Sequence, residues 1–112
     1  MGKASELARM CKVLSVETRV EILELVKDRA LCVGAIAARL DVTQGAVSQH
    51  LRILRDAGLV IAEKRGYFVH YRLNKKMVTK CKDMISKLAA TEKSHSGASS
   101  SSNTNRKDNS NV

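Results

Sequence analysis

The chain has 112 residues, which suits one small domain, and its formal net charge is +9 at pH 7. It contains no apolar run long enough to cross a bilayer and no apolar leader after Met1, so we expect neither a membrane span nor a secretory leader. Three cysteines without secretory context are expected to remain reduced in the cytoplasm. A basic excess of this size favours a polyanionic partner, because each cation placed on a phosphate releases condensed counterions.

Two amphipathic helices are predicted near the N-terminus. The first, residues 5–14, carries an apolar stripe of Leu7, Ala8, Cys11 and Leu14. The second, residues 15–28, is predicted to begin at Ser15, whose hydroxyl can cap its first turn. Its spacing allows two inward faces, either Val20, Leu23 and Val26 or Ile22 and Leu25.

Residues 33–59 are predicted to form two short helices with a break at Asp41-Val42. Thr43 is expected to cap the second helix, and Gly58 is expected to end it in a left-handed conformation. The inward stripes of the two helices are predicted to be Ile36, Ala37 and Leu40, and then Val47, Leu51 and Leu54.

The outward face of the second short helix is polar, with Arg55 at its far end. Amide, hydroxyl and guanidinium groups can read base edges or bind phosphates, so we predict a DNA-reading helix. The alternative is an ordinary solvated helix side, which the supporting helix before it and the hairpin after it make less favoured. The predicted DNA contacts on this helix are Thr43, Gln44, Gly45, Ser48, Gln49, His50 and Arg52.

A β-hairpin is predicted next, from residue 59 to residue 73, with its turn at Lys64-Arg65-Gly66. Gly66 can supply the positive φ that a tight turn needs. Lys64, Arg65 and Tyr67 are predicted to reach phosphates or a minor groove, and the alternative is an ordinary polar turn. His70 is interpreted as a residue of this hairpin rather than a metal ligand.

A last helix, residues 75–90, is predicted to be capped by Asn74 and to pack on the first helix and on a second subunit. From residue 91 the chain is rich in Ser and Asn and has too little apolar surface to offset the entropy of ordering, so residues 91–112 are predicted to be a disordered tail. Residues 1–90 would form the DNA-binding and dimerisation domain. The predicted dimer interface contains Leu7, Cys11, Met77, Cys81, Met84, Ile85 and Leu88.

Together these elements predict a mainly α fold with a β-hairpin wing, a winged helix-turn-helix. Its expected function is sequence-specific binding of double-stranded DNA. The competing interpretation is a winged helix that binds an acidic protein partner. No enzymatic activity is expected, because no Ser/His/Asp or Cys/His arrangement has supporting context and the chain has no glycine-rich phosphate loop.

Two stretches resemble the ArsR/SmtB-type winged-helix repressors. The first is ALCVGAIAARLDVTQGAVSQHLRILRDAGLV followed by RGYFVHYRL, and the second is LSVETRVEILELV, in which Val16 and Glu17 replace the acidic residue and proline usual in that family. The likeness covers about residues 7–88. It implies a homodimer that blocks transcription by holding an operator and releases it when an inducer binds.

The resemblance also implies what the sensing site would need. The family's thiol site for As(III) or a soft divalent metal uses Cys-Val-Cys. This chain has Cys32 at the first cysteine position of that motif and Gly34 at the second cysteine position. A second family site binds zinc through residues of the last helix, but this last helix has no histidine and supplies Asp83 alone. A third family arrangement pairs a cysteine of the second helix with one late in the last helix, and this chain has neither cysteine.

Cys11, Cys32 and Cys81 therefore remain as metal-binding, redox-sensing or simply packed residues, and no cofactor is assigned. Cys11 and Cys81 lie in apolar stripes, where a free cysteine is commonly a small core residue. Cys32 is the preferred sensor because it opens a helix, where positive backbone charge favours a thiolate. A repressor without any small-molecule inducer is the further alternative.

Overall fold

The computed structural model describes residues 2–90, and the predicted tail, residues 91–112, lies outside the described residues. The described part forms a mainly helical domain with one small antiparallel sheet. In chain order its elements are α1 (Lys3–Val13), α2 (Glu17–Val26), β1 (Leu31–Cys32), α3 (Val33–Leu40), α4 (Gln44–Asp56), β2 (Val60–Arg65), β3 (Phe68–Leu73) and α5 (Lys75–Ala89).

The core lies where α2, α3 and α4 meet. Its most deeply buried side chains include Ile22, Ile36, Val47, Leu51 and Leu54, each no more than 1% exposed. Burying a side chain of this size contributes about 1.5–3 kcal/mol. The inward stripe predicted for α4 is therefore confirmed.

The start of α2 differs from the prediction. The predicted cap by Ser15 is wrong, because its hydroxyl donates to the Lys12 carbonyl oxygen at 2.7 Å and so closes the end of α1. Val16 occupies the N-cap position of α2 and makes no side-chain cap. Ile22 and Val26 are buried while Val20 is 38% exposed, so the inward face combines the two predicted alternatives.

The sheet contains one strand that the sequence did not indicate. β3 lies in the middle, with β2 on one side and the two-residue β1 on the other, where Leu31 is opposite Tyr71. Gly66, at φ +63°, and Tyr67 form the turn between β2 and β3. The turn is thus later than predicted, and Lys64 and Arg65 end β2 instead of forming the tip.

Helix α5 is joined to the end of α4 through Asn74. This residue occupies the N-cap position of α5, but its side chain makes no cap there, so the predicted capping is wrong. Its amide nitrogen Nδ2 instead donates to the Gly58 carbonyl oxygen at 2.8 Å, and its backbone N–H donates to the Leu59 oxygen at 2.9 Å. These bonds fix the base of the wing, β2 and β3 with their turn, against the C-terminal end of α4.

No helix in residues 2–90 combines the length and apolar character that a membrane span requires.

Candidate nucleic-acid interface

A short, well-defined turn sets the direction of α4. Asp41 adopts the left-handed conformation at φ 56°, and the Val42 N–H donates back to the Ala37 oxygen at 3.2 Å. Aspartate is among the few residues other than glycine that tolerate this conformation. Thr43 Oγ1 then accepts a hydrogen bond from the Ala46 N–H at 3.1 Å, which confirms the predicted cap. The predicted helix-turn-helix is therefore confirmed in its turn as well as in its helices.

The outer face of α4 is polar and open. The chain's predicted base-reading and phosphate-binding side chains on this helix are exposed, and Gly45 has no neighbouring atom within 4 Å of where a Cβ would lie. A helix surface without obstruction in its first turn can approach the major groove closely. The exposed members of this face are Thr43, Gln44, Gly45, Ser48, Gln49, Arg52 and Arg55.

His50 lies elsewhere on α4. It is half-buried, and its Nδ1 accepts a hydrogen bond from Arg19 Nε of α2 at 3.2 Å. Burial, and then the Arg19 charge, lower the pKa of this imidazole below its ordinary value of 6.5. The structure thus directs His50 towards α2 and away from the open polar face, so we do not retain it among the proposed DNA contacts. Nothing in the local sequence indicates this contact, because 31 residues separate its two partners.

The wing ends in an exposed tip flanked by cations. Tyr67 at the tip is 98% exposed. Glu63 accepts from Arg72 at 2.8 Å and from Arg65 at 3.0 Å, and these two hydrogen bonds, with Arg72 contributing most, lower the pKa of the Glu63 carboxyl. Exposed ion pairs of this kind contribute little to stability. They do hold two guanidinium groups along one face of the wing, while Lys64 is exposed on the opposite face of β2.

The predicted dimer residues are distributed over α1 and α5 and differ in exposure. Lys80 of α5 and Glu6 of α1 form an ion pair at 2.6 Å, which joins the two helices. Within the described chain, Ile85 and Leu88 are 52% and 77% exposed, although both belong to the apolar stripe of α5. Leu7, Met77 and Met84 are half-buried, Cys11 is exposed and Cys81 is buried.

The three thiols are not brought together in one subunit. Cys11 is exposed on α1, Cys32 is half-buried at the start of α3, and Cys81 is buried in α5. Burial raises the pKa of the Cys81 thiol, with smaller contributions from Cys11 and Glu6. Among residues 2–90 no group of three or more Cys, His, Asp or Glu side chains is arranged to hold a metal ion. A three-thiolate site within a single subunit therefore does not fit this structure.

Cys32 has a neighbour that the sequence did not indicate. It pairs directly with His70 across the β1–β3 ladder, and directly opposed residues of an antiparallel pair place their side chains on the same face of the sheet. The Nδ1 atom of His70 is buried and has no hydrogen-bond partner among the described residues. This proximity depends on β1, whose two residues are too few to produce a strand pattern in the sequence.

Comparison with known proteins agrees with this architecture. The family model described as "Bacterial regulatory protein, arsR family" matches residues 17–62. The arsenical resistance operon repressor of Escherichia coli is 40% identical over 67 residues, which cover 59% of this chain and 57% of that protein. The transcriptional activator HlyU of Vibrio cholerae is 40% identical over 76 residues, 68% of each chain.

Solved structures show the same fold. An ArsR-like transcriptional regulator from Rhodococcus sp. RHA1 superposes with a TM-score of 0.73 at 31% identity, covering 80% of this chain and 84% of that chain. A homodimeric winged helix-turn-helix DNA-binding domain from Mycobacterium bovis gives a TM-score of 0.64 at 26% identity, covering 77% of this chain and 80% of that one. The chain therefore belongs to the ArsR family of bacterial regulatory proteins and, as a member of it, is a DNA-binding transcriptional regulator with the winged helix-turn-helix fold.

Proposed function

We propose that the chain is a homodimeric repressor that holds a palindromic DNA operator, with one α4 in the major groove of each half-site. The observation that carries this proposal is the division of α4 into two faces. Val47, Leu51 and Leu54 are at most 1% exposed on the inner face, while polar and cationic side chains occupy the open outer face. A helix held so firmly can place its outer side chains against base edges.

The outer side chains divide by chemistry into base readers and phosphate binders. Gln44, Ser48 and Gln49 carry amide and hydroxyl groups, which discriminate base edges in the major groove. Arg52 is placed further along the helix, where a guanidinium would bind phosphate and fix the register on the duplex. At the wing, Lys64 and Tyr67 would contact the adjacent phosphates or minor groove.

The dimer is proposed to form through α1 and α5. Its support is the apolar surface at Ile85 and Leu88, which remains exposed in the single subunit, and the homodimeric state stated for the Mycobacterium bovis domain. A second copy placed on this surface would bury it. Two recognition helices about 34 Å apart would then meet successive turns of B-DNA.

The proposal is tested by selecting binding sites from a pool of random duplexes and measuring affinity for the enriched sequence by fluorescence anisotropy. We expect a palindromic consensus bound far more tightly than a scrambled duplex of the same length, with affinity falling steeply as salt rises. Equal binding to consensus and scrambled duplexes would contradict the proposal and would favour an acidic protein as the partner.

Release from DNA is proposed to follow modification of a thiol, with Cys32 as the sensor. Its support is threefold: partial exposure, a position at the start of α3 and direct pairing with His70. Peroxide would oxidise the Cys32 sulfur to a sulfenic acid as its O–O bond breaks, and would itself be reduced to water. The Escherichia coli relative is named for arsenical resistance, so As(III) is the other agent to test, although one subunit does not supply three thiolates for it.

Cys32→Ser is the variant that tests this sensor, with Cys11→Ser as the matched control. We expect peroxide to release wild type and Cys11→Ser from the operator but to leave Cys32→Ser bound. Release of Cys32→Ser at the wild-type peroxide concentration would leave Cys32 with a packing role only. Arsenite tested on the same three proteins separates a metalloid response from an oxidative one.

Residues 1–90 are proposed to form the complete DNA-binding and dimerisation unit. The support is compositional, because residues 91–112 contain few apolar side chains that could pack on the domain. A chain ending at Ala90 should match the full chain in melting temperature and operator affinity. A marked loss of either would show that these residues bind the domain or the DNA.

A further inference from the structure

A basic groove lies where the end of α2, the two strands of the wing and the start of α5 meet. Its volume is about 670 Å³, and its floor is apolar, formed in part by Val26, Ile61 and Leu73. It extends from the end of α2, past β2 and β3, to the first residues of α5. We call it the wing groove, and its basic lining residues are Lys27, Arg29, Arg65, Arg72, Lys75 and Lys76.

The protein itself neutralises only part of the positive charge of the wing groove. Asp28 is the one acidic side chain among its lining residues. Arg65 and Arg72 share the single carboxylate of Glu63. The other four cations, Lys27, Arg29, Lys75 and Lys76, are exposed and form no ion pair with any residue in the described part of the chain. Like charges that line one groove without partners repel one another, so an anion bound in the groove would relieve that repulsion.

The shape of the wing groove favours an extended anion. From Ile61 to Arg65 the strand covers about 13 Å, at about 3.3 Å per residue. A strand of B-DNA is an extended row of phosphates, so a groove of this length could bind more than one consecutive phosphate of the same strand. The groove is also continuous with the wing tip, because Arg65 both lines it and ends β2 beside the turn.

We propose that the wing groove binds the sugar–phosphate backbone of duplex DNA flanking the bases that α4 reads. This inference rests on the proposed operator binding and adds to it a second, sequence-independent contact. The four unpaired cations would bind phosphate oxygens, and Glu63 would hold Arg65 and Arg72 against the side of the wing. The operator of this protein would therefore extend beyond its base-specific half-sites.

The test compares two duplexes that carry the same consensus. One ends at the outer edges of the half-sites, and the other adds about ten base pairs, one helical turn, of unrelated sequence on each side. We expect wild type to bind the extended duplex about tenfold or more tightly. In Lys75→Gln/Lys76→Gln this preference should fall to about threefold or less. The slope of log Kd against log salt should decrease by about 3 to 4, because the two subunits together would leave about four phosphates without a bound cation.

The matched control is Lys82→Gln/Lys87→Gln. It removes the same number of charges from exposed positions on the same two sides of α5, but about 10 and 16 Å further along the helix. This control should keep the wild-type preference for flanking DNA. Retention of that preference by Lys75→Gln/Lys76→Gln would overturn the inference while leaving the reading of the consensus intact.

Two further outcomes are distinguishable. Loss of consensus preference by wild type on the short duplex would contradict the proposed function itself. Calorimetric binding of a nucleoside triphosphate that Lys75→Gln/Lys76→Gln abolishes, with the flanking preference unchanged, would identify the wing groove as a site for a small anion and overturn its assignment to DNA.

Discussion

Arg19 of α2 donates from its Nε to His50 Nδ1 of α4 at 3.2 Å. The same guanidinium donates from Nη1 to the Val13 carbonyl oxygen at the end of α1, at 3.1 Å. One side chain thus joins the helix proposed for dimerisation to the helix proposed to read DNA. A movement of α1 relative to the second subunit would therefore change the position of α4 through a hydrogen bond as well as through packing.

This contact makes stability depend on the charge of His50. Its pKa in the folded protein is lowered, first by burial and then by Arg19, below the ordinary value of 6.5. A protonated imidazole would direct an N–H at the guanidinium, so protonation breaks the hydrogen bond. The contribution to stability is complete above pH 6.5 and disappears as pH falls through the folded-state pKa.

The prediction is that melting temperature falls more in wild type than in His50→Gln when pH is lowered from about 7.5 to about 5.5. The glutamine amide oxygen can still accept from Arg19 but does not titrate in this range. His70→Gln leaves the contact between Arg19 and His50 in place and serves as the control. Its melting temperature should still fall more than that of His50→Gln. The same fall in wild type and His50→Gln would show that this hydrogen bond has no role in acid destabilisation.

Two glycines are predicted to respond oppositely to alanine. Gly58 has φ +79°, and a Cβ there would lie 3.0 Å from Met77 Cε, so Gly58→Ala should destabilise the fold by about 1–2 kcal/mol. Gly45 lies in the first turn of α4 with open space around it, and Gly45→Ala should be neutral or should stabilise by up to about 1 kcal/mol. Urea unfolding measures both, and a Gly58→Ala variant as stable as wild type would contradict the strained geometry.

Two substitutions on α4 are predicted to distinguish base reading from phosphate binding. Gln49→Ala should cost about 1–3 kcal/mol on the consensus and relax preference at one position of each half-site. Arg52→Gln should weaken consensus and scrambled duplexes alike and reduce the salt slope by about 1 for each phosphate that the guanidinium had neutralised. Unchanged base preference in Gln49→Ala would remove Gln49 from the reading set.

The proposed dimer surface is tested by a lysine placed in its apolar stripe. Ile85→Lys should dissociate the dimer, because the side chain is 52% exposed in one subunit and would be buried against the second. Ser86→Lys adds the same charge at the next, exposed position and should leave the dimer intact. Sedimentation velocity distinguishes the two, and a dimeric Ile85→Lys protein would place the interface elsewhere.

The helix-turn-helix could be predicted from sequence because its determinants are local. The spacing of Val47, Leu51 and Leu54 sets the buried face of α4, and the Thr43 cap acts only three residues along the chain. The two incorrect predictions of helix caps involve side chains that have competing hydrogen-bond partners. Ser15 bonds backward to Lys12, and Asn74 bonds to Gly58, which is 16 residues away, so their propensity to cap is overridden by hydrogen bonds that spacing does not reveal.

The candidate site could be predicted only where its determinants lie close together in the sequence. The polar outer face of α4 follows from helical periodicity once the inner face is known. The pairing of Cys32 with His70 depends instead on a two-residue strand and a ladder between distant segments. The wing groove joins three segments of the chain, and no single stretch of sequence shows that their cations converge.

The spacing of the two half-sites on the operator tests the central claim most directly, because it depends on both the reading helix and the dimer. Hydroxyl-radical footprinting of the selected duplex measures it. We predict two protected regions related by a two-fold axis, with centres about 10 to 10.5 base pairs apart, and loss of both regions in Ile85→Lys. A single asymmetric footprint, or a symmetric footprint retained by a monomeric Ile85→Lys protein, would contradict a homodimer that reads its operator through paired α4 helices.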